Sequence, residues 1–156
     1  MKTIRDLLAE QGFFADMGAE HLDTIAGCGH NATYSDGEHL FREGRPADTF
    51  HLVRHGRVAV EILVPGRGPL VVDTRDEGEV VGWSWLFPPY RWRLDARAVG
   101  VVRTVAIDGH CLREKAEADH DLGYALIRRI TAVIIGELEA TRLQLVDLYG
   151  HEHARP

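Results

Sequence analysis

The densest group of side chains able to recognise a ligand lies in residues 82–98 of this 156-residue chain. The segment contains all three tryptophans and three arginines. Indole rings and guanidinium groups are typical of recognition surfaces, because they combine a large apolar area with stacking and charge-assisted hydrogen bonds. Burial in a core would explain Trp85, but it does not explain Arg91 and Arg93 on either side of Trp92. The pattern therefore favours a binding surface.

Residues that support catalysis or bind metals do not form a recognisable motif. His51 and His55 are four residues apart, but they fall in a predicted strand and turn, where this spacing does not bring side chains together. His151 and His153 are expected to belong to a solvated tail. Ser84 lacks the flanking glycines of a nucleophile elbow. The sequence therefore predicts neither an enzyme nor a metal site.

The composition, 45% hydrophobic and 27% charged, predicts one soluble domain with a real core. The apolar runs are too short to span a bilayer, and a net charge of −6 has the wrong sign for a nucleic-acid surface. Cys28 and Cys111 lie far apart, outside any CxxC motif, and are predicted to be buried free thiols. We therefore expect a cytoplasmic protein with no direct nucleic-acid or membrane partner.

Helix signals at both ends enclose a region of strand signals. Thr3 and Asp6 can cap a first helix, and a second fits residues 19–26. In the middle, short apolar runs alternate with glycine and proline about every eight to twelve residues, which is typical of an all-β sandwich, barrel or jelly roll. Asp119 can begin a long helix that Gly150 would end. We expect a single domain with N-terminal helices in 1–30, a β-roll in 31–107 and C-terminal helices in 108–150.

The long helix carries two apolar stripes. One follows steps of three and four residues, as in a coiled-coil seam: Tyr124, Ile127, Thr131, Ile134, Leu138, Thr141, Leu145 and Leu148. The other lies on a different face and consists of Leu126, Ile130 and Val133. Because a helix that packs only on its own domain needs one stripe, two stripes favour a parallel homodimer over a single broad buried face. The predicted interface residues are Ile127, Ile134, Leu138, Thr141, Leu145 and Leu148.

Several separated motifs, taken with the order of elements, resemble a known family. Residues 40–53 contain an apolar-x-Glu-Gly-x-x-Ala-Asp-x-aromatic pattern, and Gly56-x-Val58 and residues 77–82 and 96–98 follow it along the chain. Together they resemble the cyclic-nucleotide-binding domain of the catabolite-activator/Fnr superfamily over nearly the whole chain. The resemblance implies a mainly β fold, a β-roll of the jelly-roll type, with flanking helices and a long C-terminal dimerisation helix.

The resemblance also implies a phosphate-binding cassette after Gly82. In the family, backbone N–H groups at this point, here near Gly82, Trp83 and Ser84, hold the cyclic phosphate together with one arginine. A glutamate directly after the glycine binds the ribose, and this sequence has Trp83 there. The position of the cassette arginine is taken by Trp92. Losing a charge-assisted hydrogen bond costs about 1.5–3 kcal/mol, so weak or absent binding of cyclic AMP and cyclic GMP is expected.

Other contacts follow from the same resemblance. The arginine next to Trp92 on either side, Arg91 or Arg93, is expected to carry any bound anion, whereas Arg97 is expected to be structural. Thr141 falls where a helix threonine contacts the base in the family, and a hydroxyl bonded to the backbone one turn back is the alternative. The implied ligand is a cyclic nucleotide or another small anion.

The function expected from these features is that of a non-enzymatic small-molecule sensor. One alternative is a degenerate domain that acts as a dimeric scaffold or protein-interaction module, because the tryptophan-rich cassette fills its own pocket. A second is transcription regulation through a DNA-binding partner chain, since residues 151–156 leave no room for a recognition helix. In each case an effector protein would receive the signal, and an acid–base enzyme is the most distant alternative.

Overall fold

The structure is a computed structural model that describes residues 1–153. Four α-helices flank six strands, with short 3-10 turns at Gly12–Phe14 and Ser84–Leu86. The helices are α1 (Ile4–Ala9), α2 (Ala19–Ala26), α3 (Gly109–Ala118) and α4 (His120–His153). The strands are β1 (Gly29–Tyr34), β2 (His39–Phe41), β3 (Thr49–Val64), β4 (Gly68–Arg75), β5 (Val80–Val81) and β6 (Asp95–Asp108).

The strands form an antiparallel roll around two long members, β3 and β6. The hydrogen-bonded order is β1-β6-β3-β4, while β2 pairs with β6 and β5 pairs with β3. Alternate side chains of these strands fill the inside of the roll with small branched residues such as Val58, Val60 and Val102. The predicted β-roll with flanking helices and a long C-terminal helix is confirmed.

Strand β3 is continuous where the sequence suggested a turn at His55 and Gly56. The pairing with β6 shifts register on both sides of His55, so the extra residues are taken up as irregularities that bend the strand. Gly56 has φ +92°, and a Cβ there would lie 2.4 Å from the carbonyl oxygen of Val101. Glycine is therefore required because the neighbouring strand passes so close, rather than because the chain reverses.

The helix signals are largely confirmed. Thr3 and Asp6 form a reciprocal capping box at the start of α1, and α2 has the predicted bounds. Asp119 accepts hydrogen bonds from the backbone of the first turn of α4. Gly150 does not end α4, because a helical glycine costs only about 1 kcal/mol relative to alanine and the helix continues to His153. None of the described helices is long and apolar enough to cross a bilayer.

The cysteines form a disulfide, with Cα atoms 5.8 Å apart, so the prediction of free thiols is wrong. Cys28 lies two residues after the end of α2, and Cys111 lies in the first turn of α3. The backbone N–H of Asp108 donates to the carbonyl of Cys28 at 2.8 Å, which brings the two helix ends together. This closure depends on pairing between β1 and the far end of β6. Because the thiols are paired, they give no support to the expected cytoplasmic location.

Helix α4 lies along the roll with one of its two stripes buried. Leu126 and Ile130 have no exposed surface, and Val133 is 9% exposed. They pack in the same apolar cluster as side chains from α1, α2 and α3. This contact fixes the rotation of α4 and thereby decides which of its residues face the loop between β5 and β6.

Candidate ligand-binding cassette

The cassette is the loop between β5 and β6, and it begins at a glycine that no other residue could replace without strain. Gly82 has φ +95°, and a Cβ on it would lie 2.5 Å from the ring of Trp92. The 3-10 turn Ser84–Leu86 follows, with Ser84 and Trp85 buried. The left-handed glycine thus lets an indole ring press directly against the backbone at the start of the cassette.

The ring of Trp92 fills the space between Gly82 and Phe41, which we call the cassette corner. Its ring stacks on Phe41 with a centroid separation of 3.8 Å and an interplanar angle of 11°. The side chain is buried, although the residues on either side of it in sequence are exposed. An indole held between Phe41 and Gly82 fills space with apolar surface and offers no charge to an anion.

Trp83 closes the corner from the other side. Its indole Nε1–H donates to Oε2 of Glu137, on α4, at 2.8 Å. The guanidinium of Arg93 lies over the Trp83 ring, 5.6 Å from its centroid. The cassette and the long helix are therefore joined by a hydrogen bond between side chains that are 54 residues apart in sequence.

The cavity left between these side chains has a volume of about 10 Å³. Drug-sized ligands occupy pockets of about 300–1,000 Å³, whereas 10–15 Å³ is roughly the space for one water. The walls include Phe41, Gly82, Trp83, Trp92, Arg93 and Glu137. In this conformation the cassette corner is filled by the protein's own side chains.

A cluster of charged groups surrounds Glu137. Nη2 of Arg75, on β4, lies 3.8 Å from Oε1 of Glu137 and 2.8 Å from Oδ2 of Asp73, and Nη1 of Arg75 donates to Glu79 at 3.1 Å. The side chains of Arg75 and Glu137 are only 9% and 13% exposed. Burial raises the pKa of the Glu137 carboxyl, whereas the Trp83 hydrogen bond and the charge of Arg75 act in the opposite direction.

The family model described as "Cyclic nucleotide-binding domain" matches residues 32–119, which is more than half of the chain. The chain belongs to the cyclic nucleotide-binding domain family. No curated protein matches the sequence.

Solved structures of this domain family superpose well on the chain. A cyclic nucleotide-binding protein from Geobacter metallireducens GS-15 has 29% identity and a TM-score of 0.77, over 88% of this chain and 99% of its own. A cyclic nucleotide-binding domain from Methylobacillus flagellatus KT has 15% identity and a TM-score of 0.75, over 92% and 81%. The regulatory domain of Toxoplasma gondii PKA, solved with cAMP, has 18% identity and a TM-score of 0.67, over 83% and 49%. The last two, with their low identity, show the fold alone.

The arginines of this cyclic nucleotide-binding domain differ in position. Arg93 lines the small cavity. Arg91 is exposed and donates to the carbonyl of Gly44 at 2.9 Å, outside the cavity lining. Arg97 forms two hydrogen bonds with Glu61, at 2.9 and 3.3 Å, as expected for a structural residue. Only one of the two arginines expected to carry an anion thus borders the cassette corner.

Thr141 lies outside the cassette corner of the domain. It is exposed, and its hydroxyl donates to the carbonyl of Glu137 at 2.9 Å, which is the backbone bond considered as the alternative for this residue. The residue of α4 that does reach the cassette is Glu137, one turn earlier. Where α4 passes the cassette, the chain therefore has the carboxyl group of Glu137 instead of a threonine hydroxyl.

Sequence reasoning missed Glu137 and Arg75, although a signal for the first was available. Glu137 continues the second stripe of α4 in the same steps of four and three residues: Leu126, Ile130, Val133, Glu137. A carboxylate on a buried stripe requires a partner, because an unpaired buried charge is costly. No such signal marks Arg75, because the sequence around a buried arginine at a strand end looks the same as the sequence around an exposed one.

The other stripe of α4 faces away from the domain. Ile127 is 47% exposed, Leu138 49%, Leu145 53% and Leu148 64%. Ile134 differs from them because it is half-buried and packs against the chain's own core. At its N-terminal end the exposed stripe borders an open cleft of about 930 Å³, lined by Leu86, Phe87, Tyr90, Arg113, Tyr124 and Ile127.

The histidines whose side chains the structure describes do not gather into a site. His51 is buried and shares a 3.0 Å hydrogen bond with the hydroxyl of Thr104. Burial lowers the pKa of His51 to about 3, so the side chain is neutral at physiological pH. No group of three or more potential metal-ligating side chains occurs within the described part of the chain.

Proposed function

We propose that the chain is a non-enzymatic regulatory module whose cassette is occupied by its own side chains and whose long helix pairs with a second copy. Of the functions that the sequence allows, this corresponds to the dimeric scaffold or protein-interaction module. The observation that carries it is the cavity of about 10 Å³ at the position where the family resemblance implies a ligand site. Such a module acts by presenting a fixed surface to an effector protein.

Cyclic nucleotides fit this corner poorly for two reasons. Trp92 and Trp83 take the space that the ligand needs, and opening that space means breaking the Phe41 stack and the Glu137 hydrogen bond. Opening that space also exposes the Glu137 carboxyl to water, and once it ionises it adds negative charge close to any entering phosphate. Space and charge therefore both oppose ordinary cyclic AMP and cyclic GMP binding.

Calorimetric titration of the unmodified protein with cyclic AMP and with cyclic GMP tests this part of the proposal. We expect weak or no binding. A sub-micromolar dissociation constant for either nucleotide would overturn it. A domain of the same fold with an intact ribose-binding glutamate and cassette arginine serves as the positive control.

The exposed stripe of α4 supports the homodimer. Burying each of its large apolar side chains is favourable by about 1.5–3 kcal/mol, and two-fold symmetry doubles the number buried. Because these side chains are already about half buried in the monomer, the gross gain is about 6–13 kcal/mol, which is of the same order as the cost of association, about 4–15 kcal/mol. The interface consists of Ile127, Leu138, Leu145 and Leu148 with Thr141 between them, and Ile134 contributes its exposed part. Light scattering should show a dimer at micromolar concentration, whereas a monomer would contradict the assignment.

A small-anion sensor is the second candidate, because Arg93 borders the cassette corner. In that case the guanidinium would leave the Trp83 ring and bind the anion together with backbone N–H groups near Gly82. Inorganic phosphate and cyclic AMP are suitable probes. Arg93→Ala should abolish any binding that the unmodified protein shows, whereas Arg91→Ala, which removes an equally charged but more distant group, should leave it unchanged.

A further inference from the structure

Helix α4 crosses the mouth of the cassette at one polar residue. Three turns of the helix before this point are held by apolar packing, and Glu137 is the next residue on the same face. Beyond it, the described part of α4 touches the roll through Gln144, whose amide donates to the carbonyl of Val71 at 2.7 Å. Glu137 is therefore the last buried attachment of the helix to the domain.

The charges around this attachment do not balance. Glu137 faces Arg75 and Asp73 from β4 and, across the Trp83 ring, Arg93 from the cassette. Glu79, from the turn before β5, contacts the other side of the Arg75 guanidinium. The one well-buried guanidinium is shared by three carboxylates, and Nε of Arg75 is buried without a hydrogen-bond partner in the described structure. Two of these carboxylates, those of Asp73 and Glu137, are themselves largely buried.

We propose that Glu137 is a proton-controlled latch that fastens α4 over the cassette through the indole N–H of Trp83. With the proton bound, the neutral carboxyl accepts the Trp83 hydrogen bond without adding a second buried negative charge beside Asp73. When the proton leaves, the carboxylate gains solvation by moving out to water, and the C-terminal part of α4 moves with it. The inference deepens the proposed function, on which it rests, by giving the filled cassette a means of opening.

The sign of the effect follows from the pKa of Glu137, which burial raises above its ordinary value. The closed state therefore binds the proton more tightly than the open state. The latch is strongest at pH values below the pKa of an exposed glutamate, and it weakens as the pH rises through the raised pKa. Each unit of difference between the two pKa values changes the closed-to-open ratio about tenfold.

Opening would affect the proposed dimer as well as the cassette. Leu138 follows Glu137 directly and lies on the exposed stripe. A shift of the helix from Glu137 onward therefore moves one half of that stripe relative to the half that remains on the core. In this way a change in pH at the cassette would reach the surface presented to a partner.

The indole N–H resonances of the three tryptophans provide a direct test in the full-length protein. A pH titration should shift the Trp83 signal with an apparent pKa above the range of ordinary glutamates and increase its solvent exchange on the basic side. Trp85 and Trp92, whose rings stack within the domain, should stay constant. A Trp83 signal that does not titrate, or that titrates in the range of an exposed glutamate, would overturn the proposal.

Two substitutions identify the group responsible. Glu137→Gln keeps an oxygen that accepts the Trp83 hydrogen bond but cannot ionise, so the signal should remain in its acidic position at every pH. Glu139→Gln removes an exposed carboxylate two residues away and should leave the titration unchanged. Persistence of the titration in Glu137→Gln would contradict the assignment. If Glu137→Gln does not fold, carbon-13 detection of the Glu137 carboxyl in the unmodified protein gives its pKa directly.

The latch and the proposed function can fail separately. If calorimetry shows tight nucleotide binding while the Trp83 signal still titrates through Glu137, the filled-cassette proposal is wrong and the latch stands. If neither nucleotide binds and the Trp83 signal is constant, the cassette is closed permanently and the latch is wrong.

Discussion

The cassette and the exposed stripe of α4, which forms the outer face of this helix, differ in what their bulky side chains contact. In the cassette, Trp83 and Trp92 are satisfied inside the chain, one by Glu137 and the other by Phe41. On the outer face, Leu138 and its neighbours have about half of their surface exposed. The segment with the residue types of a recognition surface is closed, whereas a plain leucine and isoleucine stripe remains open.

This difference shows that residue type alone does not locate a binding surface. Tryptophan and arginine are frequent at interfaces, but they also fill a corner when a glycine such as Gly82 lets a ring approach the backbone. The stripe on α4 remains exposed because a second stripe on the same helix already fixes its rotation against the core. Geometry thus determines which of the two regions is available to a partner, and the following substitutions test that distinction.

The largest effect is expected at the ring that fills the cassette. Trp92→Ala should lower the free energy of unfolding by about 3–5 kcal/mol, because it removes a buried indole and leaves a cavity beside Phe41. Chemical denaturation measures this loss. Arg91→Ala, the neighbouring exposed residue, should change stability by less than about 0.5 kcal/mol. Similar small losses for both variants would mean that the cassette corner is not part of the folded core.

The outer face should respond in assembly rather than in folding. Leu138→Asp should dissociate the dimer, because it loses apolar burial worth about 1 kcal/mol per copy and introduces an unpaired charge into the seam. Light scattering and sedimentation report the change. The folded monomer should keep its circular dichroism spectrum, since this residue does not contact the core of its own chain. A dimer that survives Leu138→Asp would move the interface elsewhere.

Two glycine substitutions, one in the cassette and one in α4, are expected to change the stability of the domain in opposite directions. Gly82→Ala should destabilise the domain by about 1–3 kcal/mol through backbone strain, since φ is +95° and the new Cβ would meet the Trp92 ring. Gly136→Ala should stabilise it by up to about 1 kcal/mol, because the backbone is helical and a Cβ there meets nothing within 4 Å. Thermal unfolding measures both. A tolerated alanine at Gly82 would show that the ring does not press on the backbone.

Much of the fold could be predicted from local patterns. The capping box at Thr3, most of the glycine turns and the buried stripe of α4 are properties of short segments, and they match the structure. Signals of this kind depend on periodicity and on backbone freedom, which neighbouring residues determine.

Features that depend on long-range contacts were not predictable in the same way. The disulfide between Cys28 and Cys111 requires two helix ends to meet across the roll, and the contact of Trp92 with Gly82 and Phe41 requires the cassette to fold back on β2. The continuity of β3 through Gly56 likewise depends on the path of β6. Glu137 combines both kinds of feature. Its position on the buried stripe can be read from the neighbouring residues of α4, but its contact with Trp83 depends on the fold.

Above all, we propose that the cassette is filled by the chain itself and is closed to cyclic nucleotides. A titration of the unmodified protein with cyclic AMP to millimolar concentration, followed by the indole N–H signals of Trp83 and Trp92 at constant pH, tests it most directly. Both signals should keep their positions, because the two rings remain on Glu137 and Phe41. A saturable shift of either signal would show instead that the nucleotide enters the corner and that the cassette is open to it.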